Sequence, residues 1–276
     1  MTIHWITYET NPEIDIKNQG SHDKLKKTAD KFGWKLRSFG KGKAWKGFTS
    51  KWISVKRSIR NLPDSDIVVV TDARDVLCLK GQTGFSTILR KLDKNGKRVV
   101  FSSEQACCVQ VMKENPIGTF VKKGGRRSRS WAVPEWKEAD YAIEKSWVDA
   151  YQKRQKVSSF KVLNAGMACG RVKAWKKALG AISPLKHGDD DQAVWSDAFM
   201  NTNYIALDYN QELLSNTNIL RGLPNGCYIK RQANGVFKNR ITKSEPFIVQ
   251  TPGAPWDYPK PFGCYMRIYN QLKPFN

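Results

Sequence analysis

Carboxylates in this chain occur where the sequence predicts that a strand ends or a helix begins. Asp72 and Asp75 follow the apolar run Ile67-Val68-Val69-Val70, and Asp208 follows a second predicted strand. A continuous apolar run predicts a strand buried on both faces, as in a parallel sheet covered by helices. Ligands of such sheets bind beyond the carboxyl ends of the strands. Asp72 and Asp75 could therefore chelate a hard divalent cation that holds a diphosphate. The alternative is a solvated turn in which Asp75 caps the next helix.

A second acidic cluster, Asp189-Asp190-Asp191, precedes a predicted helix. Carboxylates in a first helical turn complement the helix dipole, so capping alone is one interpretation. Three adjacent like charges repel one another unless a cation or a basic partner is present. In a chain whose formal net charge is +22, this cluster indicates a functional site.

Strands must alternate with helices to position these groups. The apolar periodicity predicts strands at 3–8, 34–39, 67–70, 98–102, 160–163, 204–207 and 247–250, and helices at 22–32, 48–62, 84–92, 139–154, 171–182 and 189–200. Such alternation predicts right-handed crossovers and a parallel sheet. Residues 163–166 (LNAG) are expected to form a turn at the end of their strand, and 113–140 a long loop. We expect one domain over 1–253 and a C-terminal extension over 254–276.

Composition restricts the class of protein. With 276 residues of which 40% are hydrophobic, the chain can bury a substantial core. No apolar run approaches the ~20 residues that span a bilayer, and the first residues lack the pattern of a secretory signal. We therefore expect a cytoplasmic protein. Six cysteines without a Cys-x-x-Cys pair predict free thiols and no zinc site.

Basic residues outnumber acidic ones by 47 to 25, which indicates an anionic partner such as a nucleic acid, a membrane surface or an anionic substrate. They are dispersed along the chain, and no helix-turn-helix, zinc-finger or RNA-recognition pattern accompanies them. Specific nucleic-acid binding is therefore not expected.

Five short segments occur in a characteristic order. They are Val69–Val76 (VVTDARDV), Arg98–Glu104 (RVVFSSE), Leu163–Met167 (LNAGM), Asp189–Gln192 (DDDQ) and Leu207–Asn210 (LDYN). In this order the segments resemble the glycosyltransferase domain of the procollagen lysyl hydroxylases. The chain also resembles small glycosyltransferases of large algal viruses, a chlorovirus xylosyltransferase among them; if the protein is viral, we expect it in the host cytoplasm. The resemblance implies a GT-A fold, an α/β and Rossmann-like architecture with a mixed, mostly parallel sheet flanked by helices.

The resemblance implies a metal site. It assigns Asp72 and Asp75 to Mn²⁺, or Mg²⁺, bridging the diphosphate of a UDP-sugar. The family places a histidine of a His-Gly-Asn-Gly segment as a further ligand, and Gln250 stands at that position here. Glutamine is a poorer transition-metal ligand but can offer an oxygen. Metal dependence is therefore expected to be weaker, or to depend on two carboxylates and water.

The resemblance also assigns a nucleotide site. Its predicted residues are Thr7, Tyr8 and Glu9 of the first strand, Trp45 near the uracil, Lys46 or Lys51 near phosphate, and Arg74 near phosphate or ribose. Either lysine could instead be surface charge, and Arg74 could instead form an ion pair with a neighbouring carboxylate.

The resemblance finally implies residues that contact the donor and acceptor sugars and a carboxylate that acts as the general base. Asn164 and Gly166 would contact the donor sugar, Asp190 or Asp191 would deprotonate the acceptor hydroxyl, and a neighbouring carboxylate would bind sugar hydroxyls. The donor and acceptor sugars would also involve Asp189, Gln192, Trp131 and Trp136.

We therefore predict a glycosyltransferase that moves xylose, glucose or galactose from a UDP-sugar to a hydroxyl of a glycan or glycoprotein. Inversion at the anomeric carbon is favoured over retention. The alternatives are a catalytically altered nucleotide-sugar-binding protein and a basic nucleic-acid-binding protein.

Overall fold

The computed structural model describes residues 1–13, 20–104, 158, 160, 162–187, 189, 191–217, 227–252 and 262–273. Asp190, Trp131 and Trp136 lie outside these residues, as do the predicted loop at 113–140 and the helix at 139–154. The predicted boundary after residue 253 also falls outside them.

Eleven strands are present in the described residues. They are β1 Ile3–Tyr8, β2 Leu36–Phe39, β3 Ile67–Thr71, β4 Val76–Cys78, β5 Val99–Glu104, β6 Val162–Arg171, β7 Ile205–Asp208, β8 Leu214–Asn216, β9 Ile229–Arg231, β10 Phe237–Asn239 and β11 Ile248–Gln250. The helices are α1 His22–Lys31, α2 Thr49–Ser58, α3 Phe85–Leu92, α4 Val172–Ala181, α5 Asp191–Asn201 and α6 Phe262–Leu272.

The central sheet has six strands in the order β2-β1-β3-β6-β5-β7. The pairs β1–β2, β1–β3 and β5–β7 are parallel, whereas β6 is antiparallel to both of its neighbours. Five strands therefore run in one direction and only β6 runs against them. This confirms the predicted α/β class with a mixed, mostly parallel sheet flanked by helices.

Strand β3 is buried on both faces, as its apolar run predicts. Val68 and Val70 pack into the core on one side of the sheet, while Ile67 and Val69 pack into the core on the other side. Alternate side chains of a strand point to opposite faces. Both faces of β3 are covered, so its carboxyl end is held rigidly.

The turn predicted at residues 163–166 is wrong, because these residues lie within β6. Ser102 pairs with Asn164, whereas the adjacent Phe101 pairs with Ala168, so residues 165–167 bulge out of the β5–β6 ladder. The carbonyl of Gly166 in this bulge accepts a hydrogen bond from the Asp72 amide (2.7 Å). The Asn-Ala-Gly pattern marks a bulge here, where the backbone leaves the regular ladder.

A second sheet of three strands, β4-β11-β8, was not predicted. Strand β11 is antiparallel to β4, with Gln250 opposite Val76, and parallel to β8. Since Val76 directly follows Asp75, this pairing carries Gln250 from the far end of the chain to the end of β3.

Three tryptophans join α2, α4 and α5 to one face of the central sheet. Trp52 lies 5.8 Å from Trp175 and 5.1 Å from Trp195 between ring centroids, and all three are fully buried. Trp52 and Trp175 are therefore core residues, as their helical spacing predicts.

The prediction of free thiols is wrong for Cys227 and Cys264, which form a disulfide bond. The folded chain brings their Cα atoms to 5.1 Å, a proximity that the spacing of cysteines in the sequence does not reveal. Cys78 and Cys169 are buried free thiols.

Helix α6 lies against β9 and α1. Within the described ranges, no helix has the length and apolar character needed to cross a bilayer.

Candidate active site at the ends of β3 and β11

Gln250 links the two carboxylates that follow β3. Its Nε2 donates to Asp72 Oδ2 (3.0 Å) and to Asp75 Oδ2 (3.1 Å). The Gln250 side chain is buried, and its Oε1 has no hydrogen-bond partner among the described residues. The predicted metal residues Asp72, Asp75 and Gln250 therefore lie together.

The Asp75 carboxyl is a perturbed group. Burial raises its pKa to about 7, and the adjacent charge of Asp72 acts in the same direction. The hydrogen bond from Gln250 opposes this shift. Near neutral pH, the site thus carries less negative charge than two ordinary carboxylates.

Lys51, on α2, places its ammonium group among three acceptors. The Nζ atom lies 2.5 Å from Asp72 Oδ1, 2.9 Å from the carbonyl oxygen of Ala165 and 3.8 Å from Asp191 Oδ2. Burial lowers the pKa of Lys51, but the charges of Asp72 and Asp191 outweigh burial and raise it overall. Lys51 is therefore a buried cation at the acidic site rather than surface charge.

Asp191 is fixed at the start of α5 by the core. The indole Nε1 of Trp52 donates to Asp191 Oδ2 (2.8 Å), and the carboxylate is largely buried. Asp189 has a different environment, because its Oδ2 accepts from the amide of Lys186 (2.9 Å) in the preceding turn. Of the acidic triplet's two described members, only Asp191 contacts Lys51.

Two amide side chains converge on Glu104, at the end of β5. Gln192 Nε2 donates to Glu104 Oε1 (2.8 Å), and Asn164 Nδ2 donates to Glu104 Oε2 (3.2 Å). The amide oxygens accept from the backbone of the β6 bulge: Gln192 Oε1 from Ala165 and Asn164 Oδ1 from Gly166. Glu104 lay in a recognised segment but was assigned no role from the sequence. Glu104 is completely buried, and its hydrogen bonds orient the side chains of Asn164 and Gln192, two residues predicted to contact the sugars.

Arg74 and Glu9 form a two-bond ion pair. Arg74 Nε lies 2.6 Å from Glu9 Oε2, and Nη2 lies 2.8 Å from Oε1. This is the ion-pair alternative that the sequence left open for Arg74. Thr7 is fully buried and its hydroxyl donates to the Thr71 carbonyl (2.8 Å), so this side chain ties β1 to β3.

A cavity of about 490 Å³ opens beside Tyr8 and Lys46, two predicted nucleotide residues. Its other lining residues are Lys43, Ala44, Ser50, Ile53, Ser54, Arg57 and His187. Trp45 is 52% exposed and its ring lies 6.3 Å from that of Tyr8. The lining carries three permanent cations and no carboxylate, which suits an anionic ligand. Sequence reasoning missed Arg57 and His187. Helical spacing alone does not show which face of α2 borders a cavity, and His187 reaches the cavity from the segment between α4 and α5.

Asp208 does not join the site. Its carboxylate accepts from the amides of Glu212, Leu213 and Leu214 and is fully buried. Burial raises the pKa of Asp208 to about 6 against these hydrogen bonds. This carboxylate stabilises the turn after β7.

The residues at the end of β3 can accept a hard cation. Within the described part of the chain, no group of three His, Cys, Asp or Glu side chains is arranged to hold a metal, and the unpartnered Oε1 of Gln250 is the protein oxygen that could join the two carboxylates. Rotation of its amide by half a turn would place the orphaned Oε1 beside both carboxylates. Three oxygen donors suit Mn²⁺ or Mg²⁺.

Comparisons with known proteins agree with the motifs over part of the chain. The family model described as the PLOD GT domain matches residues 14–116, which confirms the predicted resemblance over that segment. No curated protein matches the chain.

Solved structures with a similar backbone include three glycosyltransferases. A glycosyltransferase involved in glycosylation of the major capsid of PBCV-1 has 9% identity and a TM-score of 0.45, with 99% of each chain covered. The galactosyltransferase LgtC, in complex with donor and acceptor sugar analogs, has 12% identity and a TM-score of 0.46, with 99% of this chain and 95% of LgtC covered. The bifunctional glycosyltransferase WbbM has 11% identity and a TM-score of 0.48, with 97% of this chain and 49% of WbbM covered.

Proposed function

We propose that this protein is a metal-dependent GT-A glycosyltransferase. It transfers xylose, glucose or galactose from a UDP-sugar to a hydroxyl of a glycan or glycoprotein, with inversion at the anomeric carbon. The observation that carries the proposal is the convergence of Asp72, Asp75, Gln250, Lys51 and Asp191 at one end of the central sheet. The family match to residues 14–116 supports it independently.

The donor would lie between this acidic site and the basic cavity. Asp72, Asp75 and the Gln250 oxygen would hold Mn²⁺ or Mg²⁺, which supplies positive charge for the departing diphosphate. Lys51 adds a buried ammonium group beside them. Tyr8 and Lys46, which line the cavity, would bind the nucleotide. Trp45 would cover the uracil from the exposed side, since it lies against Tyr8.

The donor sugar would contact Asn164 and Gln192, whose side chains Glu104 orients. Asn164 and Gln192 are held there through one N–H each, which fixes the directions of their amide groups. Preoriented polar groups bind a transition state without reorganisation during the reaction.

Asp191 would act as the general base. As the acceptor oxygen forms a bond to the anomeric carbon, the bond from that carbon to the UDP oxygen breaks and the acceptor proton passes to the carboxylate. The bond from Trp52 fixes the carboxylate (2.8 Å). Asp190, outside the described residues, is the other candidate for this role, and Asp189 would bind sugar hydroxyls nearby.

The test measures UDP release and product formation with UDP-xylose, UDP-glucose and UDP-galactose, each with Mn²⁺, Mg²⁺ or a chelator. We expect turnover with one donor, lost in Asp72→Asn and in Asp191→Asn. Asp64→Asn is the matched control, because Asp64 forms an exposed ion pair with Lys176 and touches no site residue. Proton NMR of the product reports its anomeric configuration. Unchanged turnover in both site variants would overturn the assignment.

A nucleotide-sugar-binding protein without turnover is the second candidate. Its specific support is the occupation of both Asp72 oxygens by protein donors, Lys51 and Gln250. This candidate predicts UDP binding measured by calorimetry, with no sugar release or transfer for any donor.

A further inference from the structure

Lys51 contacts the carboxylate that the proposed function assigns to the metal. Its ammonium lies 2.5 Å from Asp72 Oδ1, and the Lys51 side chain is only 7% exposed. The other oxygen of Asp72 accepts from Gln250 Nε2 at 3.0 Å. Both oxygens of this carboxylate are therefore engaged by protein donors in the described structure.

Each oxygen of Asp72 keeps a further lone pair, so a dication that binds this carboxylate must either share its oxygens with these donors or displace them. The Gln250 amide can rotate in place and offer its orphaned oxygen. The Lys51 ammonium, in contrast, remains positively charged. It repels a dication bound beside it, and this repulsion is weakly screened because the site is partly buried.

Lys51 has a long side chain on a fixed backbone. It lies in the first turn of α2, and four methylene groups allow its ammonium to reach a new acceptor without movement of the helix. A nucleoside diphosphate carries enough negative charge to accept both the ammonium and a dication.

We propose that Lys51 competes with the divalent cation for Asp72 and is transferred to the diphosphate when the nucleotide arrives. The metal then binds tightly only together with the nucleotide. This inference rests on the proposed function, because it takes Asp72 as a metal ligand and a nucleoside diphosphate as the anion.

The test is calorimetric titration of Lys51→Gln with Mn²⁺ alone and with UDP in the presence of Mn²⁺. We expect Mn²⁺ alone to bind about tenfold more tightly than to the wild type, and UDP about tenfold more weakly, each being near 1.4 kcal/mol. The two changes have opposite signs, whereas a merely destabilised site would bind both ligands more weakly.

Two further variants separate charge from position. Lys51→Arg keeps the charge and should keep Mn²⁺ binding weak. Lys56→Gln removes a lysine of the same helix that bonds to Ser183 instead, and should leave Mn²⁺ affinity unchanged.

An unchanged or weaker affinity of Lys51→Gln for Mn²⁺ alone would overturn the inference while sugar transfer by the wild type still supports the proposed function. If the wild type binds no Mn²⁺ even with UDP and transfers no sugar, the proposed function itself fails.

If Lys51→Gln does not fold, ¹⁵N NMR of the wild-type lysine ammonium groups tests the inference instead. The Lys51 resonance should move with UDP and Mg²⁺ together and stay in place with Mg²⁺ alone, and any other response contradicts the transfer.

Discussion

Gly166 and Gln250 are so close that no side chain fits between them. A Cβ atom on residue 166 would lie 2.2 Å from both the nitrogen and the oxygen of the Gln250 amide. The β6 bulge and the end of β11 thus fix the amide that links Asp72 to Asp75.

Gly166→Ala should displace the Gln250 side chain. We expect a loss of about 1–3 kcal/mol in the free energy of unfolding, as for overpacked cores, and weaker Mn²⁺ binding in the presence of UDP. Urea denaturation and calorimetry measure the two effects. Gly180→Ala is the control, because a Cβ at position 180 of α4 meets no described atom within 4 Å, and this change should be neutral or stabilising. Equal effects of both substitutions would contradict the proposed role of the close contact.

The stability of the metal-free protein should fall as pH rises from about 4 to 7. The folded pKa of Asp75 is raised to about 7, so in this range the folded state retains a proton that the unfolded state has lost, and stability decreases with pH. Asp75→Asn removes this contribution of up to a few kcal/mol. A smaller slope of the same sign should remain between about 4 and 6, because the pKa of Asp208 is raised to about 6. Thermal melts across this range in the presence of a chelator test the prediction; a slope identical in Asp75→Asn and wild type would refute it.

Trp52→Phe should lower kcat more than packing loss explains. The substitution keeps an aromatic ring but removes the N–H that donates to Asp191, a bond of about 1.5–3 kcal/mol to a charged group. We expect roughly a tenfold or greater fall in kcat per folded molecule, measured by UDP release. Trp195→Phe is the matched control, since Trp195 is equally buried in the same cluster and its Nε1 has no partner among the described residues. Trp195→Phe should lower the free energy of unfolding and leave kcat per folded molecule unchanged.

Arg74→Ala should destabilise the protein through Glu9. Glu9 is buried and would lose both bonds to the guanidinium, keeping among the described residues only the hydrogen bond from the Asn11 amide; losing the partner of a buried polar group costs about 1–3 kcal/mol. The double variant Glu9→Gln/Arg74→Ala should recover part of the loss. Chemical denaturation of the wild type, the two single variants Arg74→Ala and Glu9→Gln, and the double variant checks this; additive losses would show that the pair is not coupled. UDP titration of the same proteins reports whether Arg74 also serves the nucleotide.

Reduction of the Cys227–Cys264 disulfide should lower stability. The two residues are 37 positions apart, and a crosslink closing a loop of this size contributes about 3–4 kcal/mol through the unfolded chain. Thermal melts with and without a thiol reductant measure the loss. The Cys227→Ser/Cys264→Ser variant should melt like the reduced wild type and no longer respond to reductant.

The sequence alone determined the elements that carry the candidate site, and it predicted several of the residues that the structure brings together there. The buried run of β3 and the amphipathic helices follow from local periodicity, which depends only on neighbouring residues. The carboxylates after β3 were recognisable because such strand ends meet at one edge of a sheet. The order of five short segments along the chain identified the resemblance, which the family match confirms over residues 14–116.

Only the tertiary structure decided strand direction, the second sheet and the partners of each charge. Periodicity is the same for a parallel and an antiparallel strand, so β6 could not be oriented from its residues. The roles of Lys51 and Arg74 depended on which carboxylates the fold brings within hydrogen-bond distance, and the sequence allowed surface charge for one and an ion pair for the other. Asp208 is the last residue of β7 and Asp72 directly follows β3, yet backbone amides surround Asp208, whereas a lysine and a side-chain amide contact Asp72. These distinctions come from contacts between residues far apart in the chain, which local sequence does not encode.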